Sequence, residues 1–299
     1  MFSDHPNRPY TSQSYQNQPN TSQGYQNQPN TSQIYLGKPY ATAVIPFVRS
    51  EGFLTKMFGR GEATLYIESL LKVNARDLFL FGDVLGWHNA LMVPNPSIND
   101  GRYVAIAPNN QPLWLLDITP GPLYRVVPQK IWTPPNQSDW RRYVEQANLR
   151  MPIFFIQNDG ATGLPLARGL SGQRALLRGG DKPAHLGGGH STQIRIAWPG
   201  YESWERQIQI RDQTRQRNEI TLERFVKLIA GVVDRFLRVA SSTPVPDTAW
   251  RVGPGGITSN DVILVGAVQV SAGGWMPILQ VFNPSHPTPP PSHYSPVHA

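Results

Sequence analysis

Residues 198–237 have the sequence WPGYESWERQIQIRDQTRQRNEITLERFVKLIAGVVDRFL and contain the clearest secondary-structure signal in the chain. In their second half, apolar side chains recur at three- and four-residue steps, a spacing that places them on one face of a helix. Charged side chains fall on the opposite face. The apolar positions are Leu222, Phe225, Val226, Ile229, Val232, Val233, Phe236 and Leu237. The pattern predicts a long amphipathic helix that packs on a core.

The ends of this helix carry favourable residues. Thr221 can cap the amino terminus, and Glu223 then lies in the first turn, where a carboxylate interacts well with the helix dipole. Arg235 and Arg238 lie near the carboxyl end, where positive charge interacts favourably with the helix dipole. Gly231 interrupts the apolar run and costs about 1 kcal/mol relative to alanine. We expect that glycine to allow close packing against a strand.

Short strand-like segments lie on both sides of the helix, separated by turn-forming residues. The clearest pair is 261–270 and 275–282, around the Ser-Ala-Gly-Gly turn at 271–274. A second hairpin is predicted from 103–107 and 113–118. Further strand-like segments are 43–48, 78–84, 123–127, 152–156 and 193–198. Together these elements predict an α+β fold, with a mainly antiparallel sheet and one long amphipathic helix packed on it.

Three segments have less definite patterns. Residues 62–71 are apolar without a clear period, which allows either a strand or a short helix. Asp139 is placed to cap a short helix over 140–148. Nine glycines in 157–191 predict a long exposed loop, with one helical turn possible at 170–177. Long loops inside a domain are either functional or disordered.

Both ends of the chain have low-complexity sequences. Residues 9–38 repeat a ten-residue unit rich in Gln, Asn and Ser, with a tyrosine kept in register. Such a segment buries too little apolar surface to offset chain entropy, so residues 1–39 are predicted to be disordered. The repeat at 9–38 is either a prion-like tract, whose tyrosines associate weakly with arginines or with each other, or a solvated tail. The Pro-rich residues 284–299 are predicted to be extended and unstructured. Residues 40–283 are predicted to form a single α+β domain.

The composition excludes several classes of protein. The 299 residues include no cysteine, which excludes a disulfide scaffold and thiolate chemistry. No secretory signal and no run of eighteen apolar residues are present, so we expect a cytoplasmic or nuclear protein without a membrane span. The net charge of +7 is spread along the chain, with mild enrichment in 157–219. Dedicated nucleic-acid binders usually concentrate basic residues on one face.

Two histidines flank a glycine triplet in the sequence HLGGGH. His185 and His190 could hold a metal or an oxyanion, although zinc would need further ligands and Asp181 is the nearest acid. The alternative is a polar surface loop. The chain has no P-loop, dinucleotide-binding or HExxH motif. We therefore predict no cofactor and no metal, and we identify no catalytic residue.

Aromatic side chains gather at the start of the quoted stretch. Trp198, Tyr201 and Trp204, with Arg206 and Arg211 nearby, could form a surface that stacks on single-stranded nucleic acid or a peptide. The alternative is that the rings anchor the helix in the core. The arginines after residue 210 alternate with acidic and amide side chains, a pattern more typical of a solvated connection than of a phosphate-binding surface.

Three quoted sequences, WPGYESWERQI, ITLERFVKLIAGVVDRFL and DVILVGAVQVSAGGWMPIL, together resemble a protein family of mushroom-forming (basidiomycete) fungi. Its members share a W-P-G-Y-E-x-W-x-R-Q-I element, a helix and a closing strand–turn–Trp element. The resemblance covers residues 195–282, about a third of the chain. The chain departs at the last turn, where Gly274, Trp275 and Met276 replace a serine and a Trp-Gln pair. The resemblance implies a fungal, intracellular protein and no particular activity.

Three functions remain open from the sequence. The leading hypothesis is an intracellular binding or scaffolding protein, with a protein partner and no identifiable catalytic motif. The second is a nucleic-acid-associated protein that uses the Tyr/Gln-rich tail and the Arg/Gly-rich segment. The third is an enzyme of unknown type. A steep salt dependence of RNA binding would favour the second, because phosphate contacts release counterions.

Overall fold

The computed structural model describes residues 34–35, 51–74, 79–81, 88–94, 104–106, 112–172, 176–245 and 249–282. The predicted strand at 43–48, the Pro-rich segment 284–299 and the repeat tail, apart from residues 34 and 35, lie outside the described residues. The corresponding predictions therefore stay predictions.

The described part of the chain contains both helices and strands. The helices are α1 (Phe53–Phe58), α2 (Arg60–Asn74), α3 (Gln137–Trp140, continued by a π-helical turn over Arg141–Glu145), α4 (Leu166–Ser171) and α5 (Leu222–Ala240). The strands are β1 (Ile34–Tyr35), β2 (Phe79–Phe81), β3 (His88–Pro94), β4 (Val104–Ile106), β5 (Pro112–Thr119), β6 (Tyr124–Val126), β7 (Ile153–Phe154), β8 (Leu164–Pro165), β9 (Ser191–Ile196), β10 (Trp204–Gln209), β11 (Val262–Ser271) and β12 (Gly274–Phe282).

Helix α5 forms as its sequence pattern predicts. The Oγ1 atom of Thr221 accepts a hydrogen bond of 3.3 Å from the backbone N–H of Arg224 and so caps the helix. All eight predicted apolar positions are buried. On the opposite face, Arg238 forms an ion pair of 2.7 Å with Asp234, and the arginine side chain is largely exposed. The amphipathic helix is therefore confirmed, with its core-facing side as predicted.

The larger sheet carries α5 on one face. Its strand order is β10–β9–β12–β11–β7, and β6 and β8 extend it by pairing with β12 and β11. Neighbouring strands are antiparallel except β9 and β12, which run parallel. Strands β11 and β12 are buried along almost their whole length, which is typical of strands covered on both faces. A bulge between Leu264 and Gly266 shifts the alternation of side chains, so that Val268 lies on the opposite face of the sheet from Leu264.

The smaller sheet has the strand order β1–β4–β5–β3–β2. Strands β4 and β5 form the predicted hairpin, with Val104 opposite Trp114 and Ile106 opposite Pro112. Strand β1 pairs with β4 in the parallel direction, and the remaining pairs are antiparallel. Both sheets are thus mixed but mainly antiparallel. The fold class is α+β with a long helix packed on a sheet, as predicted.

The larger sheet lies between two apolar cores. On one side, Val268, Met276 and Ile278 join α1, α2 and the smaller sheet in the first core. On the other side, Leu264 and Leu279 join α4 and α5 in the second core. Because adjacent residues of a strand point to opposite faces, the apolar runs of β11 and β12 supply both cores at once.

In the first half of the chain the structure settles one open assignment and corrects another. Residues 62–71, which could have been strand or helix, belong to α2. The short helix begins at Gln137 and not at residue 140, because Asn136 is the cap: its Oδ1 atom accepts a hydrogen bond of 2.8 Å from the N–H of Asp139. Strand β1 lies inside the segment 1–39, and the other residues of that segment lie outside the described part of the chain.

The glycine-rich segment 157–191 differs from the predicted exposed loop. It contains β8 and α4, and Leu166 and Leu177 are buried in the second core. The predicted helical turn lies at α4, a few residues earlier than expected. A Cβ atom at Gly169 would lie 3.1 Å from the Cβ of Ala230 on α5. Glycine therefore allows α4 and α5 to approach closely, and solvent exposure is the wrong prediction for these residues.

Gly231 does not have the packing role expected for it. No atom lies within 4 Å of the position that its Cβ would occupy. The close contact of α5 is instead with α4, where Gly169 faces Ala230 of α5.

No helix in the described part of the chain has both the length and the apolar character required to cross a membrane.

Candidate functional site

The predicted aromatic residues surround one phenylalanine of α5. The ring centroid of Phe236 lies 5.8 Å from Trp198, 6.0 Å from Tyr201 and 6.3 Å from Trp204. Trp198 is 1% exposed, and its Nε1 donates a hydrogen bond of 2.8 Å to the carbonyl of Trp250. These contacts correspond to the core interpretation: the rings join the β9–β10 connection to the helix, and Trp198 presents no open face for stacking.

The two predicted arginines occupy different environments. Arg206 lies on β10, at the edge of the larger sheet, and is exposed. Arg211 is partly buried, and its guanidinium donates a hydrogen bond of 2.6 Å to the carbonyl of Gly187. The same guanidinium lies 3.9 Å from a carboxylate oxygen of Glu219. Arg211 is thus engaged with neighbouring protein groups, whereas Arg206 faces solvent.

The predicted histidines do not form one site. The Nδ1 atom of His185 lies 3.8 Å from Glu219, and the backbone N–H of Leu186 donates to the same carboxylate. His190 is exposed, and it contributes its carbonyl to a backbone hydrogen bond with Ile210. In the described part of the chain, no three His, Cys, Asp or Glu side chains come together to hold a metal. The structure therefore brings His185 and Arg211 together and leaves His190 apart.

Glu219, which the sequence analysis did not select, is the centre of that group. His185, Leu186 and Arg211 all approach its carboxylate, and we call these four residues the Glu219 cluster. Residue 185 has a φ of 53°, so the backbone adopts a left-handed conformation there. The cluster fastens the glycine triplet to the hairpin that pairs Arg211 with Glu219. Its geometry is that of a structural clamp.

A cavity of about 700 Å³ lies beside the first core, where the two sheets meet. Its walls come from the end of β5 and the β5–β6 connection, from residues 157–163, and from the ends of β8, β11 and β12. We call it the inter-sheet cleft. Its volume falls within the range typical of ligand-binding pockets, roughly 300–1,000 Å³.

The lining of the inter-sheet cleft is mostly apolar. Larger side chains come from both sheets and from the first residue of α1, and prolines form much of the remaining wall. The residues concerned are Phe53, Ile118, Pro120, Pro122, Pro165 and Ile263. Tyr124 lies at the margin and is partly exposed. An apolar wall with prolines and aromatic rings suits a ligand with ring or aliphatic groups.

Gln280 supplies an unpaired amide to the cleft. Three glutamines are buried among the described residues: Gln129, Gln269 and Gln280. Gln129 donates a hydrogen bond of 2.7 Å to the carbonyl of Pro277, and Gln269 accepts one of 2.7 Å from the N–H of Arg150. Gln280, 5% exposed, lines the cleft and has no side-chain hydrogen bond within the described structure. Its amide atoms are not among the fully buried unpaired atoms of the described residues, so the amide reaches the cleft and is available to a ligand.

Other polar groups complete the cleft. The Oγ1 atom of Thr119 is buried and has no hydrogen-bond partner among the described residues. Asp159 and Arg168 lie at the margin and are exposed. The Oδ1 atom of Asp159 accepts a hydrogen bond of 2.9 Å from the N–H of Ala161, which closes the turn on that side. The cleft therefore combines two inner polar groups with one acid and one base at its mouth.

A buried acid holds one wall of the cleft in place. Asp117 on β5 accepts hydrogen bonds from the backbone N–H groups of Leu54, at 3.3 and 3.4 Å, and Ile118, at 2.9 Å. Burial raises the pKa of Asp117 to about 8, although these N–H groups and that of Phe53 act to lower it. Phe53 and Ile118, both beside this carboxyl group, line the cleft. Asp117 thus positions two of the apolar side chains that a ligand would contact.

No protein-family model, curated protein or solved structure matches this chain. The resemblance of residues 195–282 to a basidiomycete family therefore stays a prediction. The chemistry of the inter-sheet cleft has to be interpreted from its own residues. The signal that could have revealed it from sequence is Gln280, a polar residue inside the apolar strand WMPILQVF.

Proposed function

We propose that this protein is a binding or scaffolding protein and that a segment of a protein partner occupies the inter-sheet cleft. The observation that carries the proposal is Gln280 on β12, the central strand of the larger sheet. Its amide lines a largely apolar cavity and has no hydrogen bond within the described structure. A peptide offers both kinds of contact that the cleft requires. Its side chains would cover the apolar wall, and its backbone would pair with Gln280 and with the hydroxyl of Thr119.

The charge of the cleft favours a peptide over a nucleic acid. Its mouth carries one acid, Asp159, and one base, Arg168, whereas polynucleotide binding needs a concentration of basic residues. The nucleic-acid alternative uses the Tyr/Gln-rich tail, most of which lies outside the described residues, and the Arg/Gly-rich segment. Trp198, which could have added a stacking surface, lies in the core. The peptide proposal therefore requires fewer further assumptions.

The same cleft gives less support to an enzyme. Among the described lining residues, the ionisable side chains are Tyr124, Asp159 and Arg168. A typical hydrolytic site pairs a nucleophile with a base that is in turn oriented by a third group. The described lining offers no histidine, cysteine or serine for that role. Binding without chemistry is the simpler function for these residues.

The proposal extends to the setting in which the protein acts. We place it in the cytoplasm or nucleus of a basidiomycete fungus, as the lack of cysteine and the family resemblance suggest. Fluorescence microscopy of the native protein in such a fungus tests this proposal. The protein should appear in the cytoplasm or nucleus, and localisation at the cell surface would contradict the proposal.

Selection from a random peptide display library tests the function directly. The wild-type protein should enrich a related set of sequences, and Ala161→Trp should abolish that enrichment by filling the mouth of the cleft. Ala161 is exposed there. The matched control is Ala272→Trp, because Ala272 is also exposed but lies in the β11–β12 turn, at the other end of these strands from the cleft. Equal enrichment by both variants would contradict the proposal.

A further inference from the structure

We infer that the Pro-rich segment 283–299 of this same chain is a ligand of the inter-sheet cleft and competes there with the partner. This inference rests on the proposed function, since it assigns an internal occupant to the same site. It would make the protein self-inhibited: a partner binds only by displacing the chain's own segment. Three observations lead to it.

The first observation is where the chain leaves the sheet. Strand β12 ends at Phe282, whose ring packs edge-to-face on Tyr124 with centroids 6.3 Å apart. Tyr124 lines the cleft, and so does Gln280, two residues before the strand ends. The chain after Phe282 therefore starts beside the mouth of the cleft.

The second observation is the match between segment and wall. Residues 283–299, NPSHPTPPPSHYSPVHA, include six prolines. Pro-rich segments favour the polyproline II conformation and dock in grooves lined by aromatic side chains. The cleft offers the exposed ring of Tyr124 together with a wall formed by Pro120, Pro122 and Pro165. Prolyl rings would pack on these apolar side chains.

The third observation is the unpaired amide. A polyproline II segment makes no internal hydrogen bonds, so its carbonyl groups are free to accept. The Nε2 group of Gln280 is a donor without a partner in the described structure, and the hydroxyl of Thr119 is a second one. Carbonyl groups of the docked segment would accept hydrogen bonds from both, and for the buried hydroxyl of Thr119 this removes the cost of leaving it unpaired.

Tethering makes even weak docking effective. A segment joined to its site by a short connection has an effective concentration in the millimolar range. Seventeen residues at about 3.1 Å each in polyproline II reach roughly 50 Å, which is ample for a cleft that starts at the strand end. To displace the segment, a partner in trans therefore needs a higher intrinsic affinity or a concentration that approaches this effective value.

Disulfide trapping tests the internal occupant in the full chain, which has no native cysteine. The pair Thr162→Cys and Ser292→Cys places one thiol on the cleft lining and one in the segment. The control pair joins Ser292→Cys with Ala272→Cys in the β11–β12 turn. With oxidised glutathione and dilute protein, the Thr162 pair should form its intramolecular bond at least about tenfold faster, as expected from a raised effective concentration.

The other outcomes of this trapping each overturn the inference. Equal rates for the two pairs would mean that the segment does not dock in the cleft. A faster bond that forms only between two chains, with a rate that rises with protein concentration, would mean that a second copy supplies the segment.

A binding measurement separates this inference from the proposed function. The probe is a fluorescent peptide of residues 283–299, and its anisotropy is followed with the full chain. The triple variant Pro289→Ser, Pro290→Ser and Pro291→Ser should bind the peptide at least about tenfold more tightly than the wild type, because the internal competitor is weakened. Adding Ala161→Trp should remove that binding, and adding Ala272→Trp should not.

The two proposals fail in different ways. If the peptide does not bind the triple variant, while displayed sequences still require an open cleft, the inference is wrong and the proposed function stands. If Ala161→Trp changes neither measurement, no ligand uses the cleft and both proposals are wrong.

Discussion

The carboxyl group of Asp117 occupies the space beside Gly52, so that a Cβ atom on residue 52 would overlap Oδ2 of the acid. Gly52 precedes α1 and offers no side-chain cap, and the N–H of Leu54 donates to Asp117 instead. A strand of the smaller sheet thus caps a helix that is distant in sequence. Glycine is required at position 52 because the cap comes from elsewhere.

Gly52→Ala should therefore destabilise the protein. The added methyl group must displace a buried carboxyl group, and such overpacking costs about 1–3 kcal/mol. The control is Gly61→Ala in α2, where nothing lies within 4 Å of the added atom. Urea denaturation should show a loss of unfolding free energy for the first variant and no loss for the second. Equal effects would mean that the carboxyl group of Asp117 moves away from the added methyl group without a loss of unfolding free energy.

The pKa of Asp117 predicts a pH dependence of stability. Its pKa is about 8 when buried and 3.8 ordinarily, so between these values the unfolded chain releases a proton that the folded chain retains. The contribution is complete below pH 3.8 and falls as the pH rises, by up to about 1.4 kcal/mol per pH unit, until it is lost above pH 8. Asp117→Asn should flatten the stability curve over this window.

The matched control for that experiment is Asp212→Asn. Asp212 is exposed, and hydrogen bonds led by that from Thr214 lower its pKa, so its titration lies below the window. The slope of unfolding free energy between pH 4 and 8 should match that of the wild type. A wild-type slope in the Asp117 variant as well would show that another group titrates.

Gln280 and Gln269 should respond differently to the same substitution. Gln269→Leu leaves the N–H of Arg150 without its acceptor and should cost about 1–3 kcal/mol. Gln280→Leu breaks no hydrogen bond in the described structure and should leave the unfolding free energy within about 0.5 kcal/mol of the wild type, or raise it. The same variant should weaken binding of peptides to the cleft. A large loss of stability would show that Gln280 is structural.

Helix α5 offers three positions with distinct expectations. Phe225→Ala should cost about 3–5 kcal/mol, because the ring is buried against Phe155 and Trp275. Gly231→Ala should raise the free energy of unfolding by about 0.5–1 kcal/mol, because alanine favours the helix more than glycine and the added methyl group meets no other atom. Arg238→Ala should stay within about 0.5 kcal/mol, because its ion pair is on the surface. Thermal or urea unfolding measures all three, and a small loss at Phe225 would mean that the helix is peripheral.

The Glu219 cluster should hold the glycine triplet in place. Glu219→Ala leaves the N–H of Leu186 unpaired and removes the carboxylate beside Arg211, at a cost of about 1–3 kcal/mol. Hydrogen exchange at the Leu186 amide should accelerate by at least tenfold. Glu205→Ala, which breaks only the ion pair of Glu205 with Arg195 near the surface, should leave that amide protected. Unchanged exchange in the first variant would argue against a clamp.

The sequence by itself determined the elements whose evidence is local. Periodicity in residues 222–240 predicted α5, its buried face and its Thr221 cap, because helical spacing needs no knowledge of distant residues. The turn at 271–274 and the apolar runs beside it predicted the β11–β12 hairpin for the same reason. The predicted site residues were judged by residue type alone, and in the structure Trp198 lies in the core while only His185 and Arg211 converge.

The tertiary structure alone decided which residues became partners across long sequence distances. Asp117 caps α1 from sixty-three residues away, a relation that no local pattern encodes. Gly169, and not Gly231, proved to be the close contact with α5, since steric space depends on the facing element. Gln269 and Gln280 look alike in sequence, yet one finds Arg150 and the other faces the cleft. Hydrogen-bond satisfaction is a property of three-dimensional neighbours, and it is what distinguishes a structural amide from one available to a ligand.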